Sequence, residues 1–87
     1  MRKLHIIKKH SAGERNLIGP RIRKARLNNK PPVSQEDLAG RLAARGIYCD
    51  RSALSRMEAG QRFIRDYEIA AIAAALRVSI ASLFEGR

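Results

Sequence analysis

The sequence has few cysteines and few aromatic residues, and these shortages exclude several classes of protein. The only cysteine among the 87 residues is Cys49, so neither an internal disulfide nor a zinc site of four thiolates can form. Aromatic side chains make up 5% of the chain and tryptophan is absent, which leaves little surface for stacking single-stranded bases. A chain without disulfides suits a reducing compartment, so we expect cytoplasmic localisation.

Long hydrophobic runs are also missing. No stretch approaches the ~20 apolar residues of a membrane-spanning helix, and Lys8 interrupts the run at Ile6 and Ile7 before it reaches the length of a signal-peptide core. We therefore expect no export and no membrane partner. Hydrophobic residues nevertheless amount to 45%, too many for a disordered basic tail, and the length fits one small domain.

Acidic residues are scarce: 8 Asp and Glu accompany 18 Lys and Arg, so the net charge is +10. The excess lies early in the chain, because residues 1–15 carry +4, residues 16–65 carry +7 and residues 66–87 carry −1. A folded domain with this charge attracts polyanions. We divide the chain into a basic N-terminal arm (residues 1–15) and a folded domain (residues 16–87).

Apolar residues recur at spacings of three and four, which predicts an all-α fold of five short helices. The first helix is expected at about 17–27 and the second after Ser34, which forms a capping box with Asp37 and is followed by a helix that Gly46 ends. Asp50 is the expected N-cap of a third helix over 51–59, which Gly60 ends.

The last third of the chain supplies most of the predicted packing surface. Asp66 is the expected N-cap of a fourth helix with an apolar stripe at Ile69, Ile72, Ala73 and Leu76. Ser79 is expected to begin a short fifth helix, whose Ile80, Leu83 and Phe84 complete the apolar surface.

The third helix has two different faces. Leu54 and Met57 point one way, while its polar side chains cluster within about 140° on the other side. Two short helices joined by a turn in a basic all-α domain suggest a helix-turn-helix, in which the second helix lies in the DNA major groove. An arginine fork matches the two acceptors of guanine, and a hydroxyl can bond to a base or a phosphate. We predict base contacts by Arg51, Ser52, Ser55 and Arg56.

Four segments resemble, in order and spacing, the lambda-repressor-like helix-turn-helix family, also called the Cro/repressor or xenobiotic-response-element family. They are residues 18–26, Ser34-Gln-Glu-Asp-Leu-Ala39, Leu54-Ser-Arg-Met-Glu-Ala-Gly60 and residues 69–84. The resemblance covers residues 16–85 and implies a compact five-helix DNA-binding domain. It departs from the family between Ala39 and Leu54, where about five extra residues predict a longer second helix and an enlarged connection at 47–49.

The resemblance also implies roles for individual residues. Gln35 is expected to bind a DNA phosphate and to brace the third helix, and the loop after that helix matches a second phosphate clamp. The implied phosphate contacts are Ser34, Gln35, Lys30, Gln61, Arg62 and Arg65. The family pattern further implies a partly buried structural ion pair between Arg26 and Glu58.

The expected function is a sequence-specific double-stranded DNA-binding transcription regulator, with repression by promoter occupancy as the leading expectation. One short helix reads only a few base pairs, so a homodimer on two half-sites is expected, with the C-terminal segment containing Leu83 and Phe84 as its candidate interface. Two alternatives stay open: an antitoxin-type interaction protein that binds a partner toxin and its own operator, or a non-specific basic module for RNA or a charged membrane surface.

Metal, cofactor and enzyme functions are not expected. His5 and His10 lie in the basic arm without enough further ligands for zinc, and no Ser, His and carboxylate set or phosphate-binding glycine loop is present. Cys49 is expected to be buried in the connection. The arm, with Arg2, Lys3, Lys8, Lys9 and Arg15, is expected either to contact phosphates or a minor groove or to be a flexible tail. Its Leu4, Ile6 and Ile7 are expected to pack on the body or on a partner chain.

Overall fold

The computed structural model describes residues 14–85, and over this range the chain forms four α-helices and no strand. In chain order these are α1 (Gly19–Asn28), α2 (Gln35–Ala44), α3 (Arg51–Glu58) and α4 (Asp66–Leu76). A single 3-10 turn, η1, spans Ala81–Leu83. The prediction of an all-α fold is confirmed.

The fifth predicted helix forms only this 3-10 turn. Its main-chain bonds join residues three apart, as in Leu83 N to Ile80 O at 3.0 Å. Ser79 explains the difference, because its hydroxyl accepts from the amide of Ser82 at 3.1 Å and its carbonyl accepts from the Ser82 hydroxyl at 2.7 Å. Such local side-chain bonds compete with an α-helical ladder. Leu83 is buried, but Ile80 and Phe84 are 48% and 46% exposed.

Helix ends follow local capping rules. Ser34 Oγ accepts from the amide of Asp37 at 2.9 Å, and Asp50 Oδ1 accepts from the amide of Ala53 at 2.8 Å, so both predicted N-caps are present. Gly46 and Gly60 follow α2 and α3 with φ of 82° and 77°, a left-handed conformation that ends a helix at little cost only for glycine.

The predicted N-cap at Asp66 is wrong by one residue. Arg65 occupies the cap position and Asp66 is the first residue of α4. The reason is Glu68, whose Oε1 accepts from the amide of Arg65 at 2.9 Å. This bond satisfies a free amide at the helix start from within the helix, as the second half of a capping box does.

The core lies where all four helices meet. Ile22 of α1, Leu38 and Leu42 of α2, Leu54 and Met57 of α3, and Ile72 and Leu76 of α4 are almost completely buried. Burial of each such side chain stabilises the fold by about 1.5–3 kcal/mol. Helix α3 packs against both α1 and α2, and α4 packs against α2 and α1, so the inner face of α3 is held on two sides.

The contact between α1 and α3 is close enough to require glycine at position 19. A Cβ atom there would collide with the main-chain oxygens of Met57 and Glu58 at the end of α3. In the connection between α2 and α3, Cys49 is buried as predicted, and the amide of Ile47 donates to Leu42 O at the end of α2 at 2.9 Å. Between them, Tyr48 is 86% exposed.

Candidate nucleic-acid interface

The outward face of α3 carries a polar strip, defined here as Arg51, Ser52, Ser55 and Arg56. All four residues are exposed, whereas Leu54 and Met57 on the opposite face are fully buried. Within residues 14–85, no side chain of the polar strip makes a hydrogen bond or ion pair. The guanidinium and hydroxyl groups are therefore available to an external ligand.

An open cleft runs between the polar strip and the start of α2. It is lined by Gln35, Asp50 and the four residues of the polar strip. The N-termini of α2 and α3 lie at Gln35 and Arg51, where free main-chain amides and the helix dipoles favour anions. Exposed Glu36 and Asp37 in the first turn of α2 reduce that attraction at α2.

At the C-terminal end of α3, Glu58 forms a buried ion pair with Arg26 of α1. Arg26 Nε and one terminal nitrogen donate to the two carboxylate oxygens of Glu58 at 2.8 and 2.9 Å, and the residues are 7% and 8% exposed. The hydrogen bond to Glu58 raises the pKa of Arg26 against the opposing effect of burial. The Glu58 charge is therefore neutralised before it can repel an anion at the strip.

Two further bonds join this pair to the start of α2. The other terminal nitrogen of Arg26 donates to Val33 O at 2.9 Å, and Gln35 Nε2 donates to Glu58 Oε1 at 3.1 Å. The side chain of Gln35 thus contacts α3 through Glu58, leaving one of its two amide N–H groups for a ligand. Ser34 is exposed with its hydroxyl used as the α2 cap, and Lys30 is exposed in the preceding loop.

In the loop after α3, Gln61 and Arg65 are exposed, but Arg62 turns inward. Its terminal nitrogens donate to the two oxygens of Glu68 at 3.1 and 3.2 Å, and one of them also donates to Phe63 O at 2.8 Å. Of the five guanidinium N–H groups, these bonds leave two for an external ligand. The predicted phosphate contact by Arg62 therefore depends on donors that Glu68 does not use.

Glu68 was not among the residues predicted from the sequence, yet it is a buried centre of contacts at 4% exposure. Burial acts to raise its pKa, but hydrogen bonds from Arg62 and from the Arg65 amide outweigh that effect and lower it. The available signal was its position four residues before buried Ile72, which places a carboxylate on the inner face of α4.

Cys49 extends this cluster to the connection before α3. Its thiol donates to Glu68 Oε2 at 3.5 Å. Burial, and then the neighbouring Glu68 carboxylate, raises the pKa of the Cys49 thiol, so the group stays protonated and hydrogen-bonding. Glu68 therefore contacts both the segment that leads into α3 and, through Arg62, the loop that leaves it.

The segment before α1 also contacts the end of α3, which sequence reasoning did not anticipate. Asn16 Nδ2 donates to Met57 O and Arg62 O at 3.0 and 2.9 Å, and its Oδ1 accepts from Gly19 N at 2.7 Å. The amide of Arg15 donates to Gly60 O at 2.8 Å, and its guanidinium lies 5.4 Å from the centroid of the Phe63 ring. Arg15 thus contacts the helical body, whereas the arm predictions for Arg2 to His10 lie outside the described residues.

Two other properties bear on the kind of site. Within residues 14–85, no group of three or more His, Cys, Asp or Glu side chains is placed to bind a metal ion. Across the same described residues, every helix falls short of the length and apolar character that crossing a membrane requires.

Comparison with known proteins adds no further identification: no protein-family model, no curated protein and no solved structure matches the chain. What the site binds must therefore be inferred from its chemistry. That chemistry is a set of outward guanidinium, hydroxyl and amide donors on one capped helix, next to a second helix N-terminus. Donors of these kinds hydrogen-bond to phosphates and to the acceptor edges of bases.

Proposed function

We propose that this chain is a sequence-specific double-stranded DNA-binding transcription regulator, in which α2 and α3 form a helix-turn-helix and α3 lies in the major groove. The observation that carries the proposal is the polar strip: a capped helix exposes two arginines and two serines while its other face is buried. A helix of this kind fits the roughly 12 Å width of the major groove. The net charge of +10 favours association with a polyanion.

Base recognition is assigned to the two arginines of the polar strip. Arg51 and Arg56 can each donate two parallel bonds to guanine O6 and N7, and each such pair discriminates between bases by about 1–3 kcal/mol. Ser52 and Ser55 can bond to a base edge or a phosphate. Because Glu58 is neutralised by Arg26, the inner carboxylate does not oppose this contact.

Phosphate contacts fix the register of α3 on the duplex. Gln35 and Ser34 at the α2 N-terminus, with Lys30 in the loop before it, are assigned to one strand. The residues assigned to phosphates beside the loop after α3 are Gln61, Arg65 and Arg62, the last through the donors that Glu68 does not use. These contacts contribute affinity without reading sequence.

The resemblance to the lambda-repressor-like family supports the same proposal and suggests repression by occupying a promoter. One helix contacts only a few base pairs, so a homodimer that places two copies of α3 about one helical turn apart is part of the proposal. Leu83 is 1% exposed and belongs to the core, which leaves Phe84 as the exposed residue of the predicted interface.

Selection of bound duplexes from a random library tests the proposal. The chain is expected to enrich a defined motif, and a fluorescent duplex carrying it should bind orders of magnitude more tightly than a scrambled duplex at the same salt concentration. Arg56→Ala should relax preference at one base pair, while Arg65→Ala should weaken binding to all duplexes alike. Arg23→Ala, an exposed cation of α1 outside the site, is the matched control.

The proposal is wrong if no motif is enriched and all duplexes bind with equal affinity. That result would favour the non-specific basic module. Equal effects of Arg56→Ala and Arg23→Ala on base preference would instead remove α3 as the reading helix.

A further inference from the structure

A second cationic cleft lies away from the polar strip. It is formed by one stripe of α1, the C-terminal end of α4 and the turn η1, with a volume of about 460 Å³. Three cations, Arg21, Lys24 and Arg77, lie along it, and no Asp or Glu lines it. Its lining contains no residue of α3, no Gln35 and no residue of the 60–65 loop.

The three cations have no anionic partner within residues 14–85. None of them forms an ion pair or a side-chain hydrogen bond there, and Arg21 Nε is a buried donor without a partner. Arg77 has a φ of 59°, a left-handed conformation in which glycine is the usual residue. The C-termini of α1 and α4 favour nearby cations through their dipoles, but a dipole accounts for one or two such charges and not for a cleft free of carboxylates.

Apolar Leu76, Val78 and Leu83 form the floor of the cleft, beside polar Asn28, Asn29 and Ser82. Leu76 and Leu83 are 1% exposed and Val78 is half-buried. Exposed Phe84 follows the lining residue Leu83, and exposed Ile80 lies two residues from the lining residues Val78 and Ser82. A phosphate backbone makes charged and polar contacts, so it would leave the apolar side chains of the cleft uncovered.

A second copy of this chain is a poor occupant of the cleft. A two-fold contact centred on the cleft would bring Arg21, Lys24 and Arg77 of one copy close to the same cations of the other. Like charges placed opposite each other across an interface cost several kcal/mol. The occupant that matches both the charge and the floor carries carboxylates and apolar side chains together.

We propose that the cleft formed by Arg21, Lys24 and Arg77 over Leu76, Val78 and Leu83 docks an acidic amphipathic segment of a different protein. Carboxylates of the segment pair with the three cations, and its apolar side chains cover Val78 and Ile80. Because the cleft is separate from the polar strip, the partner and a DNA duplex can occupy the chain at the same time.

The test uses a labelled Glu/Leu peptide of helical amphipathic pattern, about 16 residues long, added to the full chain. Binding is followed by fluorescence anisotropy and amide chemical shifts. The peptide is expected to shift amides in residues 21–28 and 76–84, and a scrambled peptide of the same composition should bind at least about tenfold more weakly because it cannot cover the floor.

Charge reversal locates the site. Arg21→Glu/Lys24→Glu is expected to lower the peptide affinity by about tenfold or more. Arg23→Glu/Arg45→Glu reverses two exposed cations outside the cleft, so it should change the peptide affinity by less than about twofold. Circular dichroism verifies that both variants are folded. Lys24→Glu alone, at an exposed position, should reproduce part of the loss if the double variant unfolds.

Several results overturn the proposal. Equal losses in the two double variants would mean attraction to net charge only, and shifts centred on α3 would move the site to the polar strip. Tighter binding to phosphatidylserine vesicles than to the peptide would assign the cleft to a lipid surface. The proposal also fails if the peptide does not bind at all, or if the chain forms a dimer in solution that buries Arg21, Lys24 and Arg77.

Discussion

Replacing Arg26 by alanine gives the most direct measure of what holds α3 in place. The Arg26 and Glu58 side chains are 9% and 5% exposed and share two short hydrogen bonds. Removing the arginine leaves a carboxylate with only the amide of Gln35 beside it and a buried Val33 carbonyl without its side-chain donor. Breaking a buried pair in this way costs about 3–5 kcal/mol.

That cost is large for a chain of this size. Domains are stable by about 0.05–0.15 kcal/mol per residue, which gives about 4–13 kcal/mol for 87 residues, so the expected loss is a large part of the free energy of unfolding. Urea unfolding followed by circular dichroism should show Arg26→Ala with a much lower midpoint, or unfolded without urea. Arg23→Ala, on the exposed side of the same helix, should differ from the parent by no more than about 0.5 kcal/mol.

A double-mutant cycle separates the pair from the rest of the environment. Arg26→Met/Glu58→Leu removes both charges. Its loss of unfolding free energy should be smaller than the sum of the losses in Arg26→Met and Glu58→Leu, with a coupling of about 1–3 kcal/mol. If the free energy of unfolding of Arg26→Ala lies within about 1 kcal/mol of the parent value, the ion pair contributes little and does not hold α3 in place.

Three other predictions concern stability. Because the pKa of Glu68 is lowered in the fold, its stabilisation is complete above the ordinary pKa of about 4.3 and is lost as pH falls through the folded value. Urea unfolding between pH 3 and 7 should therefore show a flatter pH dependence for Glu68→Gln, and an unchanged slope would contradict the contacts described. Gly19→Ala should cost about 1–3 kcal/mol by overpacking against α3, whereas Gly40→Ala, where an added Cβ meets nothing within 4 Å, should stabilise by about 0.5–1 kcal/mol; thermal unfolding compares them, and equal effects would deny the close approach. Asp50→Ala should lower the free energy of unfolding by about 1 kcal/mol through loss of the α3 cap, with Asp50→Asn close to the parent; a neutral Asp50→Ala would show that the cap is dispensable.

The sequence was most informative where structure depends on near neighbours. The helices, the caps at Ser34 and Asp50 and the terminating glycines follow from rules that involve residues within four positions. The two faces of α3 follow from helical periodicity in the same way. The pairing of Arg26 with Glu58 spans 32 residues and came only from the family resemblance.

Sequence reasoning did not reach the contacts made across loops. Arg62 turns inward because it pairs with the Glu68 carboxylate of the next helix. The side chain of Asn16 bonds to the carbonyls of Met57 and Arg62, which lie 41 and 46 residues further along the chain. Nothing in the periodicity distinguishes these polar residues from solvated ones. The reduction of the fifth helix to η1 likewise depends on competing bonds of Ser79 that a hydrophobic pattern does not report.

The polar strip has a consequence for how such a domain could change its target. Since the side chains at positions 51, 52, 55 and 56 make no hydrogen bond or ion pair within the described part of the chain, the fold does not depend on their identity. Grafting other residues at these four sites should leave the melting temperature nearly unchanged, and under the proposed function it would redirect the protein to new operators. Under the proposed function, stability and recognition are carried by different sets of atoms, and one can change without rebuilding the other.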